Sequence, residues 1–279
     1  MSASGRAIRL LTLNVNGLGS PQRTAAMLQF AVIACARPEV ICLQELHVHD
    51  ASVLTARLAS GRGPGLPYKC MHFASLGSSH ARGVAILLSH RLSGLAGTSV
   101  SHACDAHGRL VRVDLSVLGR LFSVLSLYAP NAGLGNAEFF DTSLRPFLPP
   151  DRLCLVGGDF NCVLSDLDQS SPGSARKAGG ATLRAVMDGA GLADAYRHLA
   201  PSGREYTHLA TNGQSAARLD RWLVSAPCLP WVGAVQHLHG GPGDHAGALL
   251  TLLIPDMPSF GPGLCSFPLH VLSESSGPV

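Results

Sequence analysis

Apolar residues in this chain gather into short runs bounded by turn residues, and between the runs the apolar positions recur at helical spacing. The runs Ile8–Val15, Val40–Gln44, Gly83–Ser89, Leu110–Val117, Leu121–Tyr128, Leu153–Val156, Leu219–Val224 and Ala248–Ile254 have the length and flanks of buried or half-buried strands. Within Leu110–Val117, the series Val111, Val113, Leu115 and Val117 alternates with Leu110, Arg112, Asp114 and Ser116, which predicts a strand with one wetter face. Leu118-Gly119-Arg120 leads straight into the next run, so the two are expected to form a hairpin and part of the sheet to be antiparallel.

Helical patterns fill the gaps. Ser20-Pro21 supplies an N-cap with proline at the first helical position, and Met27, Leu28, Ala31, Val32 and Cys35 repeat at helical spacing until Arg37-Pro38 stops the segment. Leu183, Val186, Met187 and Ala190 form a second stripe ended by Gly191, and Phe140, Leu144 and Phe147 form a third. Apolar strands flanked by amphipathic helices predict an α/β chain whose sheets are covered on their outer faces. No internal repeat is found, and one domain over residues 1–255 is expected. Two segments lack periodicity: Gln169–Gly180, rich in Ser, Gly and basic residues, and residues 256–279, expected to be a disordered tail or a cut linker.

Composition narrows the classes. With 279 residues and 46% hydrophobic content, the chain can bury one large core. Charged residues make up only 14% and the formal net charge is +3, so a hold on nucleic acid has to come from local placement of Arg and Lys. The eight cysteines form no CxxC pair, and several sit inside apolar runs such as VICLQE and RLCLVGG, the pattern of reduced core thiols in an intracellular protein of the nucleus or cytoplasm. No apolar run reaches the roughly 18 residues of a membrane helix, so neither membrane spanning nor secretion is expected.

The chemistry lies in four strings: Asn14 in TLNVNGL, Gln44-Glu45 in VICLQE, Gly158-Asp159-Phe160-Asn161 in VGGDFN, and Gly243-Asp244-His245. Together they supply the acidic, amide and imidazole groups that metal-assisted phosphodiester hydrolysis requires. Glu45 closes a strand-like run, where its carboxylate reads either as a metal ligand or as an ordinary solvated group. Asp159 and Asn161, two apart, share a face of an extended segment; the competing reading is an Asx-turn after a strand broken by Gly157-Gly158. Asp220 sits in an apolar strand and needs a partner, which an imidazole supplies economically. His47 and His49 form an HxH pair, but no matching pattern completes a zinc site, and solvated loop histidines are favoured. Gly61–Gly65 lacks the GK[ST] ending of a nucleotide-binding loop.

The order of these strings, with Leu219-Asp220 in ARLDRWLVS, resembles the endonuclease/exonuclease/phosphatase superfamily from about Ile8 to Ile254. The resemblance implies a four-layer sandwich of two packed, mostly antiparallel sheets flanked by helices, with the active site at one rim. It casts Glu45 as the main Mg²⁺ ligand (Mn²⁺ being an alternative), places Asp244 beside the metal, and has Asn14 orient Asp159 or the phosphate. Asp159 becomes the acid/base residue, Asn161 an orienter of phosphate and metal site, and Asp220 the partner of His245. Tyr128 and Asn131 would bond the scissile phosphate, and Thr207 would touch the DNA backbone. Arg82, Arg176, Lys177 and Arg204 are the expected contacts to phosphates of double-stranded DNA.

Within the superfamily, NVNGL, the LQE-LH continuation, GGDFNCVLSDLDQSS, the Asp194-Ala-Tyr-Arg197 pattern followed by Tyr206-Thr207, and ARLDRWLVS look most like endonuclease domains of LINE-type (non-LTR) retrotransposons. That likeness implies a monomer that nicks target DNA, with a reverse transcriptase encoded downstream. Two features depart from it. Gly243 stands where most relatives have the serine of Ser-Asp-His, losing one hydroxyl, and no polymerase sequence follows. A hydrolase of abasic DNA or of a small phosphate ester, and a silent DNA-binding remnant, stay open as alternatives.

Overall fold

Each apolar run forms a strand, and further strands of weaker apolar character complete two six-stranded sheets. The computed structural model describes residues 6–60, 70–93, 99–131, 134–171, 179–210 and 213–255. In chain order the strands are β1 (Arg6–Asn14), β2 (Val40–Gln44), β3 (Cys70–Ser75), β4 (Val84–Ser89), β5 (Val100–Cys104), β6 (Leu110–Val117) and β7 (Arg120–Tyr128). They continue with β8 (Leu153–Asp159), β9 (Leu192–Asp194), β10 (His208–Leu209), β11 (Ala216–Ala217), β12 (Asp220–Ser225), β13 (Val232–Leu238) and β14 (Gly247–Ile254). One sheet runs β13-β14-β1-β2-β4-β3, the other β5-β6-β7-β8-β12-β9, and β10 with β11 forms a small ribbon. Among the described residues only β1 with β2 and β7 with β8 pair in parallel, so both sheets are mostly antiparallel as expected.

Alternation along the strands builds three apolar layers. Leu10, Cys42, Ile86 and Leu250 of the first sheet face Val113, Val124, Leu155 and Trp222 of the second. The opposite faces meet helices: Leu11, Leu13 and Ile41 pack on α1 (Pro21–Ile33) and α2 (Ala51–Ser60), while Leu125, Val156 and Leu223 pack on the helical stretch 134–147 and on α3 (Gly180–Gly189). The result is the four-layer sandwich. Gln44 stitches the sheets together from inside, its amide donating to Thr12 Oγ1 at 3.1 Å and to Ser126 Oγ at 3.0 Å.

Local signals mostly act where expected. Ser20 Oγ caps α1 by accepting from the Arg23 backbone N–H at 3.2 Å. The helix stops earlier than Arg37-Pro38, because Ala36 and Arg37 turn left-handed (φ 52° and 58°) and the Arg37 N–H returns to the Ala31 carbonyl. The β6–β7 hairpin turns on Leu118 and Gly119, both at positive φ (52° and 75°), the pairing that suits a two-residue turn.

One expectation is reversed. Gly157 and Gly158 do not break their strand, since β8 runs through them to Asp159. A Cβ on Gly157 would lie 2.6 Å from the Trp222 ring, and one on Gly158 2.2 Å from the Leu127 carbonyl, so glycine here admits close neighbours. Among the described cysteines Cys104 is exposed, the others are buried, and none forms a disulfide. Cys265 and the expected tail, like most of the loose segment before α3, lie outside the described residues.

Candidate active site

Strand register brings the motif residues to one rim. β1, β2, β7 and β8 end there at Asn14, Gln44, Tyr128 and Asp159, while β12 starts there at Asp220 and β14 just after His245. Asp220 pairs across the ladder with Asp159. His245 Nδ1 lies 2.7 Å from Asp220 Oδ2, and its Nε2 lies 4.0 Å from Asp159 Oδ2. All three side chains are buried. Burial alone would lower the His245 pKa, but the Asp220 and Asp159 carboxylates outweigh it and hold the imidazolium up at about 10. Burial raises the Asp159 carboxyl, the Asp220 charge adds to the rise, and His245 opposes it.

Thr207 has a structural task at this place. Its buried Oγ1 accepts from the backbone N–H groups of Leu219 and Asp220, both at 3.0 Å, and its carbonyl accepts from Ala246 N. It thereby fixes the segments bearing Asp220 and His245.

Asn14 is the joint between the carboxylates. Its Nδ2 donates to Glu45 Oε1 at 2.9 Å and to Asp159 Oδ2 at 3.1 Å, while its Oδ1 accepts from Asn16 N at 3.0 Å. Glu45 is half-buried and sits at φ 53°, a left-handed conformation rare for such a residue and one that clusters at functional sites. The Gly17 N–H donates to the Glu45 carbonyl at 2.7 Å and helps hold that backbone. His47, expected to be solvated, is half-buried with Nε2 3.2 Å from Glu45 Oε2; His49 is exposed. Asn16 Nδ2 reaches Asp244 Oδ1 at 3.5 Å. Glu45 is half-buried and Asp244 exposed, and carboxylate oxygens of this kind are the hard donors that Mg²⁺ and Mn²⁺ take.

On the other flank, burial first, then the Glu45 and Asp159 charges, push the Tyr128 phenol up, so it stays protonated and able to donate. Asn161 resolves its two readings into one arrangement. It lies at φ 49°, off the extended strand, its N–H closing an Asx-turn on Asp159 Oδ1 at 2.9 Å and its Nδ2 donating to the Ala129 carbonyl at 3.0 Å. The turn therefore helps to orient the carboxylate. Asn131 is exposed beyond the end of β7. Gly243 presses against β1: a Cβ there would stand 2.6 Å from the Asn14 carbonyl oxygen.

Sequence reasoning missed Arg109. Its Nη1 donates to the Tyr128 carbonyl at 3.0 Å and its guanidinium lies 5.3 Å from the Tyr128 ring centroid. Burial, then the neighbouring Arg82 charge, lowers its pKa, the mark of two cations brought together beside the rim. Arg at the opening of β6 was the only signal, too common to single it out. Arg204 lines a groove of about 630 Å³ with Tyr206, His208, His237, His239 and Asp244. Arg176 and Lys177 lie outside the described residues.

A buried acid, an imidazole held by a second acid, and oxygen donors for a hard cation equip one rim for hydrolysis of phosphate esters. The chain belongs to the endonuclease/exonuclease/phosphatase family, which it matches over residues 11–245. It is 27% identical over 226 residues to the transposon TX1 uncharacterized 149 kDa protein of Xenopus laevis, a match that covers 79% of this chain and 16% of that protein. Its fold is that of the AP endonuclease LMAP from Leishmania major (TM-score 0.72, 19% identity, 90% of this chain and 89% of that one). An AP endonuclease from Archaeoglobus fulgidus follows (0.68, 18%, 90% and 100%). The endonuclease domain of TRAS1, a telomere-specific non-LTR retrotransposon, also superposes (0.61, 14%, 88% and 99%). At these identities the likeness to solved structures concerns the fold alone. Among the described residues no helix is long and apolar enough to cross a membrane.

Proposed function

We propose that the chain is a divalent-metal-dependent DNA endonuclease of the retrotransposon type, cutting one strand of a duplex. The observation that carries this reading is the line Asp220–His245–Asp159 joined by Asn14 to Glu45 on one rim, in a family member whose sequence relative is a transposon protein. Glu45, with Asp244 near, would hold Mg²⁺ or Mn²⁺, which when bound neutralises phosphate oxygens. Asp159, a carboxyl raised by its burial, takes the proton from the attacking water. His245, kept charged by Asp220, steadies the phosphate as negative charge builds. The Tyr128 phenol donates to the same phosphate, and Arg82 and Arg109 hold phosphates beside it. Asn131, Arg204, Arg176 and Lys177 extend the hold on the DNA backbone, and the enzyme acts as a monomer with a reverse transcriptase as its functional partner.

A second reading has the AP endonuclease structures behind it, which superpose at higher TM-scores than TRAS1. A substrate panel separates the two. Supercoiled plasmid, an abasic duplex and small phosphate esters are incubated with Mg²⁺ or with EDTA. The retrotransposon reading expects plasmid converted to open circle only with the metal. Cleavage confined to the abasic duplex moves the function to repair chemistry, and equal nicking in EDTA refutes the metal mechanism.

A further inference from the structure

A second set of donor atoms stands beside the catalytic line. One ring nitrogen each of His208 and His245 and a carboxylate oxygen of Asp244 all lie within 4.8 Å of one another. Backbone pairing, not chance proximity, sets this up: His208 and His245 form an isolated antiparallel bridge that brings their rings to 4.7 Å, and Thr207 locks the same segment through Ala246 N. His245 Nδ1 is already held by Asp220 at 2.7 Å. A carboxylate behind an imidazole in this way fixes the ring and raises the basicity of its other nitrogen, as is usual for metal-binding histidines. Asp244 is exposed and follows Gly240-Gly241-Pro242-Gly243, so its carboxylate has room to close in.

The chemistry of this set differs from that around Glu45. Two imidazoles and one carboxylate form a nitrogen-rich, borderline donor set, whereas Mg²⁺ prefers oxygen. Zn²⁺ takes His nitrogen at about 2.0–2.1 Å and carboxylate oxygen at about 2.0–2.2 Å, with three protein ligands and a fourth position left open. Such a site brings its donors to roughly 3.3 Å from one another, inside the 4.8 Å within which they stand here.

We propose that His208, Asp244 and His245 form a binding site for Zn²⁺ that adjoins the oxygen site at Glu45 and shares Asp244 with it, and that zinc there silences the enzyme by displacing a proton from His245 and capturing its imidazole. The binding stands on the geometry alone; the silencing rests on the endonuclease reading. His208 is the residue that makes the difference, since without it only one imidazole remains in the set.

The test measures binding and activity separately. Zn²⁺ affinity is read by competition with a chromophoric chelator, and the ligand type by the visible spectrum of the Co²⁺-loaded chain, for wild type, His208→Ala and His208→Gln. The expected result is one Zn²⁺ bound through His208, a Co²⁺ spectrum without a thiolate charge-transfer band, and an affinity loss of roughly tenfold or more in both variants. The Gln variant keeps a polar side chain on the ribbon, so a fold damaged in His208→Ala leaves the question answerable. A thiolate band, or wild-type affinity in a folded variant, overturns the site. In nicking assays at saturating Mg²⁺, zinc should inhibit wild type and require a higher concentration for the variants. Inhibition unchanged by the variants overturns the silencing. A chain that binds zinc through His208 yet never nicks DNA keeps the site and refutes the endonuclease reading.

Discussion

Restoring the serine at position 243 should harm this enzyme. Relatives with Ser-Asp-His invite the substitution Gly243→Ser as a gain of one hydroxyl, but the backbone gives the opposite sign. The new Cβ would stand 2.6 Å from the Asn14 carbonyl oxygen and 3.3 Å from the Val15 carbonyl carbon. Reaching ordinary contact requires a separation of about 0.8 Å more, and the opposing atoms are backbone, so no side chain can swing aside. If the loop yields, Asp244 and His245 move with it. If β1 yields, Asn14 loses its bonds to Glu45 and Asp159. A displacement of this order at reacting groups costs roughly ten- to a hundredfold in rate, or about 1.4–2.7 kcal/mol of barrier. The assay is single-turnover nicking of supercoiled plasmid at saturating protein and Mg²⁺, with melting temperature measured alongside. Gly243→Ala is the control that isolates the cause: the collision predicts a loss equal to that of serine, whereas a missing hydroxyl predicts no change. Wild-type or faster nicking by a folded Gly243→Ser would refute the collision argument.

Three further outcomes follow from the site and its supports. Asp159→Asn and His245→Ala should each lower nicking by roughly a hundredfold or more while the chain stays folded; a variant that unfolds instead marks its residue as structural. His47→Ala should raise the Mg²⁺ concentration for half-maximal nicking several-fold and His47→Gln should recover part of it, because His47 holds the second oxygen of Glu45 at 3.2 Å; an unchanged metal requirement would remove His47 from the site. The buried Asp168 bonds Arg218 and Arg197 at 2.8 and 2.5 Å. Burial alone would raise its carboxyl, but the Arg221 and Arg218 guanidinium charges outweigh that and hold it at about 2. Because the folded value is depressed, its stabilising contribution, about 2 kcal/mol, is complete above the ordinary carboxylate range near 4 and is lost as pH falls through 2. Urea midpoints of wild type and Asp168→Asn should therefore converge in that window, and a gap that persists to the lowest pH would contradict the linkage.

The legible part of the fold was its central strands. β2 and β4 are buried along their whole length and read as nearly unbroken apolar runs, while β1, β7 and β12 carry apolar stretches interrupted by polar residues such as Thr12, Ser123, Ser126, Asp220 and Arg221. β5 and β13 escaped notice because each lies at a sheet edge and is only partly buried, so few of their side chains have to be apolar. For the candidate site, short strings locate a residue where it ends a regular strand, as with Asn14, Tyr128 and Asp159. They do not give its contacts where the backbone leaves the strand. Asn16, Glu45, His47 and Asn161 all adopt positive φ, and which neighbour each meets depends on turns that no periodicity encodes. Arg109 was invisible for a related reason, since its meaning comes from Tyr128 on the adjacent strand and Arg82 on another loop.

Among the described residues the pairing of β1 with β14 links the first strand to the last, with Arg6 opposite Ile254 and Thr12 opposite Ala248. A ribosome making this protein releases β1 and β2 early, yet β1 keeps one open edge until β14 emerges. Closing that edge brings together segments as far apart in sequence as Arg6 and Ile254, an entropically slow contact that leaves nascent chains exposed to wrong partners. His245 arrives with the same late segment. Assembly and completion of the site are thus coupled in time: a nascent chain acquires the His245 imidazole only with the strand that closes the sheet.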